Sequence, residues 1–359
     1  MIKIEEATFR KKRRGKKFSP FRKIVGVSYR SYSRPLQRVL TDFGADLPFR
    51  KVILKLKEHH GITVPVSSAR KIILKHGGQI GHYQQAVRSS EIPDYPGVPT
   101  VIAEIDGSMV PIVEKAKASD STEKVDGRKN RDLKWKEARL SMAHQVGSLE
   151  VNYAATMKSV EEAGQQLAGC AVQVGAGSET NIHCVGDGAP WIFNQVEDKF
   201  GTQGSYLIDF FHLCDYLVAA AKGIPGDTGE WLATQKQRMK NSQVRQVLNS
   251  LEMFEEASDV PDEQAPVRAC YRYINNRPGQ FKYKQAIEKE LPIGSGEIES
   301  GHRHVIQDRL KLSGAWWIEE NVQHMLNLRT VRANDNWGNY WSMQSMLPTS
   351  PELMLALAG

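Results

Sequence analysis

Three acidic residues sit in short stretches that join apolar runs to glycine: Asp106 in TVIAEIDGSMVPI, Asp187 in NIHCVGDGAPWI and Glu299 in LPIGSGEIESGHR. Carboxylates are hard oxygen ligands. Three that converge can share two divalent cations about 3.5–4 Å apart, an arrangement suited to in-line displacement at a phosphodiester. Asp106 and Asp187 each close an apolar run and precede Gly107 and Gly188, where a missing side chain leaves room for metal or phosphate. Either Asp-Gly pair alone reads more readily as a turn; it is the two in this order that point to a site.

The third acid belongs to another kind of element. Gly294-Ser295-Gly296 breaks the chain, after which Ile298, Val305, Ile306 and Leu310 recur at helical spacing. Glu299 then falls in a first helical turn, away from the apolar stripe, with His302 and Arg303 three and four positions on. A second reading stands beside this one, in which Glu297 and Glu299 only complement the helix dipole. The cations that follow, Arg303, Arg309 and Lys311, suit a helix lying along DNA.

The elements that must position these acids follow from periodicity. Val101–Asp106 reads as a buried strand, residues 115–132 as a polar loop, and Trp135–Gln145 and Leu149–Met157 as two further strands. A helix over Val160–Val174, a strand over Ile182–Gly186 and a strand over Tyr206–Phe211 come next. Three strands, a helix, a strand, a helix and a strand is the order of a ribonuclease-H-like α/β fold, a mixed sheet flanked by helices. From Asp187 to Glu299 is 112 residues, more than one strand and one helix need, so an all-helical insertion is expected over residues 213–290. Within it, Trp231 packs the insertion's own core or stacks on an unpaired base, and Trp316-Trp317 faces the same choice.

Charge is regional. Residues 1–100 carry 21 Lys+Arg against 7 Asp+Glu, a net of +14, so the overall +7 leaves the remainder at −7. The densest cationic run, Arg10, Lys11, Lys12, Arg13, Arg14, Lys16 and Lys17, has the field of an arm that displaces counterions from a phosphate backbone; a solvated tail is the other reading. Beyond it, Val52, Ile53 and Leu56 sit at helical spacing, His60–Pro65 interrupts, and the period resumes through Ser67–Lys75. This helix-turn-helix-like pattern offers Ser68, Arg70, Lys71 and Lys75 to phosphates or base edges, with Ile72, Ile73 and Leu74 inward; a plain helical hairpin is the alternative. Three prolines within Pro93–Pro99 mark a boundary. Four cysteines, Cys170, Cys184, Cys214 and Cys270, form no CxxC pair and read as buried small hydrophobes rather than zinc ligands or disulfides. No run of about 18 apolar residues and no secretory leader is seen, so neither membrane nor export is indicated and a cytoplasmic, nucleoid-associated protein is expected.

Taken together, IAEIDGSMVPI, GDGAPWI, DFFHLCDYL, YINNRPGQFKY, LPIGSGEIESGHR and RLKLSGAWW resemble segments of bacterial insertion-sequence transposases of the ISKra group, within the DDE class. The resemblance spans about Arg30 to Arg332 and is most specific in LPIGSGEIES and RLKLSGAWW. It implies Asp106, Asp187 and Glu299 as first, second and third catalytic acids, with Glu297 ranked below Glu299. It also implies that Asp209 and His212, in DFFHLCDYL, form an acid-x-x-His element supporting the active site; a His satisfied by neighbouring backbone is the competing view.

The expected organisation is a basic arm over residues 1–30, a helix-turn-helix-like DNA-binding region over 31–92, a catalytic domain of 98–212 with 291–335, the insertion 213–290, and a tail 336–359. The expected activity is cleavage at insertion-sequence ends and strand transfer into target DNA. It would use two Mg²⁺ ions, for which Mn²⁺ can substitute, and a homodimer or higher synaptic complex would pair two terminal inverted repeats. A ribonuclease-H-like nuclease or resolvase, or a DNA-binding derivative without catalysis, is the alternative.

Overall fold

The computed structural model describes residues 7–10, 17–18, 20, 32–115 and 131–346. Lys11, Lys12, Arg13, Arg14 and Lys16 of the expected basic arm lie outside these residues, and Lys17 is described by its backbone alone. Arg10 is exposed, and the two-residue strands Phe9–Arg10 and Lys17–Phe18 pair antiparallel. The chain divides into two compact units, Met1–Ala86 with Glu320–Gly359, and Val87–Glu319.

The first unit is helical. α1 spans Arg34–Asp46, α2 Phe49–His60 and α3 Val66–Val87. α2 ends at Gly61 in the left-handed region (φ 63°), and α3 resumes just after Pro65, so the break falls where the glycine and proline signals put it. α3 buries Ala69, Ile73, His76, Gly77 and Ile80, the spacing of one helical face. Ile73 packs inward as expected, while Ile72 and Leu74 are half-buried on its flanks.

Two later helices complete this unit, Glu319–Ala333 and Trp337–Met346. The Asn327 side-chain amide donates to the Gly77 carbonyl at 3.0 Å, and a Cβ on Gly77 would meet the His324 backbone oxygen at 2.5 Å. His76 Nδ1 and the Tyr340 hydroxyl share a hydrogen bond of 2.7 Å, and its Nε2 lies 3.0 Å from Gln37 Oε1. Burial pushes the His76 imidazole down to about 4. The segment expected to close the catalytic domain at residue 335 therefore leaves it near 320 and joins the N-terminal helices.

The second unit is α/β, built on a mixed open sheet of five strands. β1 spans Thr100–Lys115, β2 Arg131–Gln145, β3 Asn152–Thr156, β4 Asn181–Gly186 and β5 Gly204–Ile208, in the order β3-β2-β1-β4-β5. β1 pairs antiparallel with β2, β2 antiparallel with β3, and the β1–β4 and β4–β5 ladders are parallel. Crossover helices α4, Val160–Gln173, and α5, Pro190–Phe200, supply the parallel connections. One sheet face, with Val101, Ala103, Ile105, Ile182 and Cys184, packs on Leu167, Cys170 and Ala171 of α4 and Ile192 and Val196 of α5. All four cysteines are buried and free.

β1 is longer than the sequence suggests. Asp106 and Gly107 lie in its interior, because Val110 and Ile112 stay buried beyond them and Val113 N–H bonds the Trp317 carbonyl at 2.6 Å. After β5 come α6, Phe210–Ala221, α7, Thr228–Lys240, α8, Val244–Glu252, α9, Pro266–Asn275, and α10, Tyr283–Glu288. The stretch 213–290, over which an insertion is expected, is thus mostly helical. Trp231 is half-buried against its core. The chain returns as α11, Gly296–Gly301, and continues through a π-helical segment, His302–Gln307, into Asp308–Leu310. Among the described residues no helix is long and apolar enough to cross a membrane.

Candidate active site

Strand registry decides where the first two acids stand. The parallel β1–β4 ladder runs from Thr100↔Asn181 to Glu104↔Val185. Asp106, inside β1, and Asp187, the first residue after β4, each follow that last pair by two residues. Because side chains alternate with period two, Glu104 and Asp106 share a face with Val185, the second-last residue of β4, after which Asp187 opens the loop. That face is the one opposite α4 and α5, and both aspartates are half-exposed.

The chain from Pro292 to Leu310 covers that face. The Glu104 carboxylate accepts the Ile298 N–H at 2.9 Å, while its other oxygen is buried with no hydrogen-bond partner among the described residues. Burial, opposed by that N–H, pushes the Glu104 carboxyl up to about 8, so it is predominantly protonated at neutral pH. One turn on, His302 Nε2 lies 3.2 Å from Asp106 Oδ2. Gly301 passes so close over Leu140 and Tyr153 that a Cβ would meet both at 3.0 Å.

Helix geometry then separates the two glutamates. With about 100° between successive residues, the buried Ile298, Gly301 and Val305 define the packed side, and Glu297 and Glu299 fall on opposite flanks. Glu297 reaches His144 of β2, Oε2 to Nε2, at 2.7 Å. That contact holds the Glu297 carboxyl below the usual carboxylate range and raises the imidazole of His144. β2 and β4 lie on opposite sides of β1, and Glu299 is on the helix flank opposite the one that meets β2. Glu299 is exposed, and its carboxylate has no hydrogen-bond or ion-pair partner among the described residues.

Asp209 works differently. Its Oδ1 caps α6 by accepting the N–H groups of Phe211 (2.6 Å) and His212 (3.1 Å), and its Oδ2 accepts from Ser295 N–H (2.8 Å) and Oγ (2.5 Å). It therefore ties the end of β5 to the start of α11. The His212 ring packs against Tyr216 and Tyr273, ring centroids 5.6 and 5.9 Å away.

The donors fit a hard divalent cation in kind: Asp187 keeps an oxygen, and Glu299 its whole carboxylate, without a hydrogen-bond donor among the described residues, while Asp106 accepts the Gly107 N–H at 2.7 Å on Oδ1 and has His302 Nε2 3.2 Å from Oδ2. Among those residues, no group of three or more His, Cys, Asp or Glu side chains is gathered at ligating distance. Closing on a cation would take side-chain rotation, which half-exposed carboxylates can make.

Other expected positions divide. Arg70, Lys71 and Lys75 are exposed on α3 and Ser68 is half-buried; Arg303 and Lys311 are exposed. Arg309 is corrected: it is 2% exposed, with its guanidinium 4.9 Å from the Trp317 ring centroid, and it packs the interior rather than facing DNA. Trp317 is buried and Trp316 exposed. Sequence reasoning passed over Glu104 and His144. Glu104 carried a signal, an acid two residues before Asp106 in an otherwise apolar run, whereas nothing local marks His144.

The family profile described as Uncharacterised protein family (UPF0236) matches residues 153–344, more than half of the chain. No curated protein matches it.

Proposed function

The chain belongs to the uncharacterised family UPF0236, and from that premise and the placement of Asp106, Asp187 and Glu299 we propose that it is a DDE-class transposase on a ribonuclease-H-like fold. The observation that carries the reading is the equal offset of Asp106 and Asp187 beyond Glu104↔Val185, together with a helix docked on Glu104 that carries Glu299 on the flank opposite Glu297. The sheet order β3-β2-β1-β4-β5, with β2 antiparallel to its neighbours, supports the fold assignment. Resemblance of the motifs to the ISKra group supports the finer family placement.

Asp106, Asp187 and Glu299 would hold two Mg²⁺ ions, which when bound lower the pKa of an attacking water or 3′-hydroxyl and stabilise the leaving oxygen. The chain's own contribution is alignment. Glu104 docks the helix without adding a charge beside the site, Glu297 and His144 anchor its outer flank, and Asp209 fixes its start. Exposed Arg303 and Lys311 suit phosphate contacts next to the acids, and Arg70, Lys71 and Lys75 on α3 suit recognition of an element end.

The test is incubation of the full chain with DNA carrying its element ends and Mg²⁺, mapping cut positions and joined products. Wild type is expected to cut and join; Asp187→Asn is expected to lose both while binding the ends. Unchanged cleavage by that variant would refute the assignment.

A further inference from the structure

The motif YINNRPGQFKY, Tyr273–Tyr283, lies in the helical insertion, far along the chain from the acids, and no step above uses it. Its side chains nevertheless end on the loop of the second acid. The Tyr273 hydroxyl donates to the Asp187 carbonyl at 2.7 Å, and Arg277 Nε donates to the Gly188 carbonyl at 2.8 Å. From the sheet side, the Gly188 N–H donates to the Tyr206 hydroxyl at 3.0 Å, and Ala189 N–H to Asp187 Oδ1 at 2.8 Å. Thus two consecutive carbonyls and two consecutive amides are all fixed, and Asp187 Oδ2 is left without a hydrogen-bond partner among the described residues.

A loop at the mouth of a cleft could satisfy its carbonyls with water. Here it is gripped by a bracket that is itself rigid. The Tyr273 ring stacks on Tyr216 at 4.0 Å and 15°, the Arg277 guanidinium lies 4.1 Å from the Tyr273 ring centroid, and Arg277 Nη1 donates to the Tyr273 carbonyl at 2.9 Å. Gly188 has φ 86°, and a Cβ there would meet Tyr273 Oη at 2.8 Å and Arg277 Nε at 2.9 Å. The glycine is what lets the bracket close.

We propose that Tyr273 and Arg277 are positioning residues that hold the Asp187 carboxylate ready for a divalent cation, making the insertion a structural part of the metal site. The inference rests on the metal-site reading above. Outer groups that orient a ligand typically change metal affinity about 10–100-fold when removed.

Mn²⁺ binding to the full chain, followed by the electron paramagnetic resonance of free Mn²⁺, tests this beside thermal unfolding. Tyr273→Phe keeps the stacked ring and Arg277→Lys keeps the charge. Both are expected to weaken the Asp187-dependent Mn²⁺ site about tenfold or more while melting close to wild type. If Asp187→Asn loses the site but both variants bind Mn²⁺ as wild type does, the bracket proposal is overturned and the metal reading stands. If Asp187→Asn binds Mn²⁺ like wild type, the metal reading itself falls. Should one variant fail to fold, the other decides.

Discussion

Glu104 Oε2 accepts the backbone N–H of Ile298 at 2.9 Å, joining the middle of the central strand to the first turn of the helix that carries Glu299. Burial of this acid favours its neutral form, and that preference has a pH signature.

The Glu104 carboxyl is raised from its ordinary value of 4.5 to about 8. A group whose folded value is raised contributes stability fully below its unfolded value and loses it as pH climbs through the folded one. Urea unfolding of the sheet unit is therefore expected to show stability falling between about pH 4.5 and 8, by the order of a few kcal/mol. Glu104→Gln, which can still accept from Ile298, should flatten that slope; an unchanged slope would show that another group causes it.

His76 in the helical unit has the opposite sign. Its folded value is depressed to about 4 from 6.5, so stability is present above 6.5 and is lost as pH falls toward 4. Circular dichroism of the wild type between pH 7 and 4 should report weakening of the helical unit, and His76→Gln should remove most of it.

The two glutamates of α11 should separate cleanly. Glu299→Gln is expected to reduce Mg²⁺-dependent cleavage by more than about 100-fold, whereas Glu297→Gln, which disturbs only the anchor to His144, should stay within about 10-fold. Equal losses would contradict the assignment of opposite flanks.

Asp209 makes four hydrogen bonds that no single neighbour could replace. Asp209→Ala should cost about 1–3 kcal/mol in unfolding free energy, and Ser295→Ala a smaller part of that. If Ser295→Ala equals Asp209→Ala, the helix cap contributes nothing.

Much of this was legible beforehand. Alternation and helical spacing are local, so β2 to β4 and α4 fall close to where periodicity puts them and residues 213–290 are mostly helical, whereas the strand expected over Tyr206–Phe211 ends at Ile208, since Asp209 caps a helix that takes in Phe210 and Phe211. What was hidden depends on distant partners. β1 runs past Asp106 because Trp317 covers its far end, and Arg309 turns inward onto the same ring; neither fact has a local signal. Likewise Tyr273 and Arg277 meet the Asp187 loop across 86 and 89 residues.

The interleaving of the helical unit has an outcome for synthesis. Gly77 is packed by Asn327 and His324, and His76 by Tyr340, so α3 gains these neighbours only once residues 324–340 have left the ribosome. The sheet with its acids can therefore assemble first on a nascent chain, and the cationic head matures last.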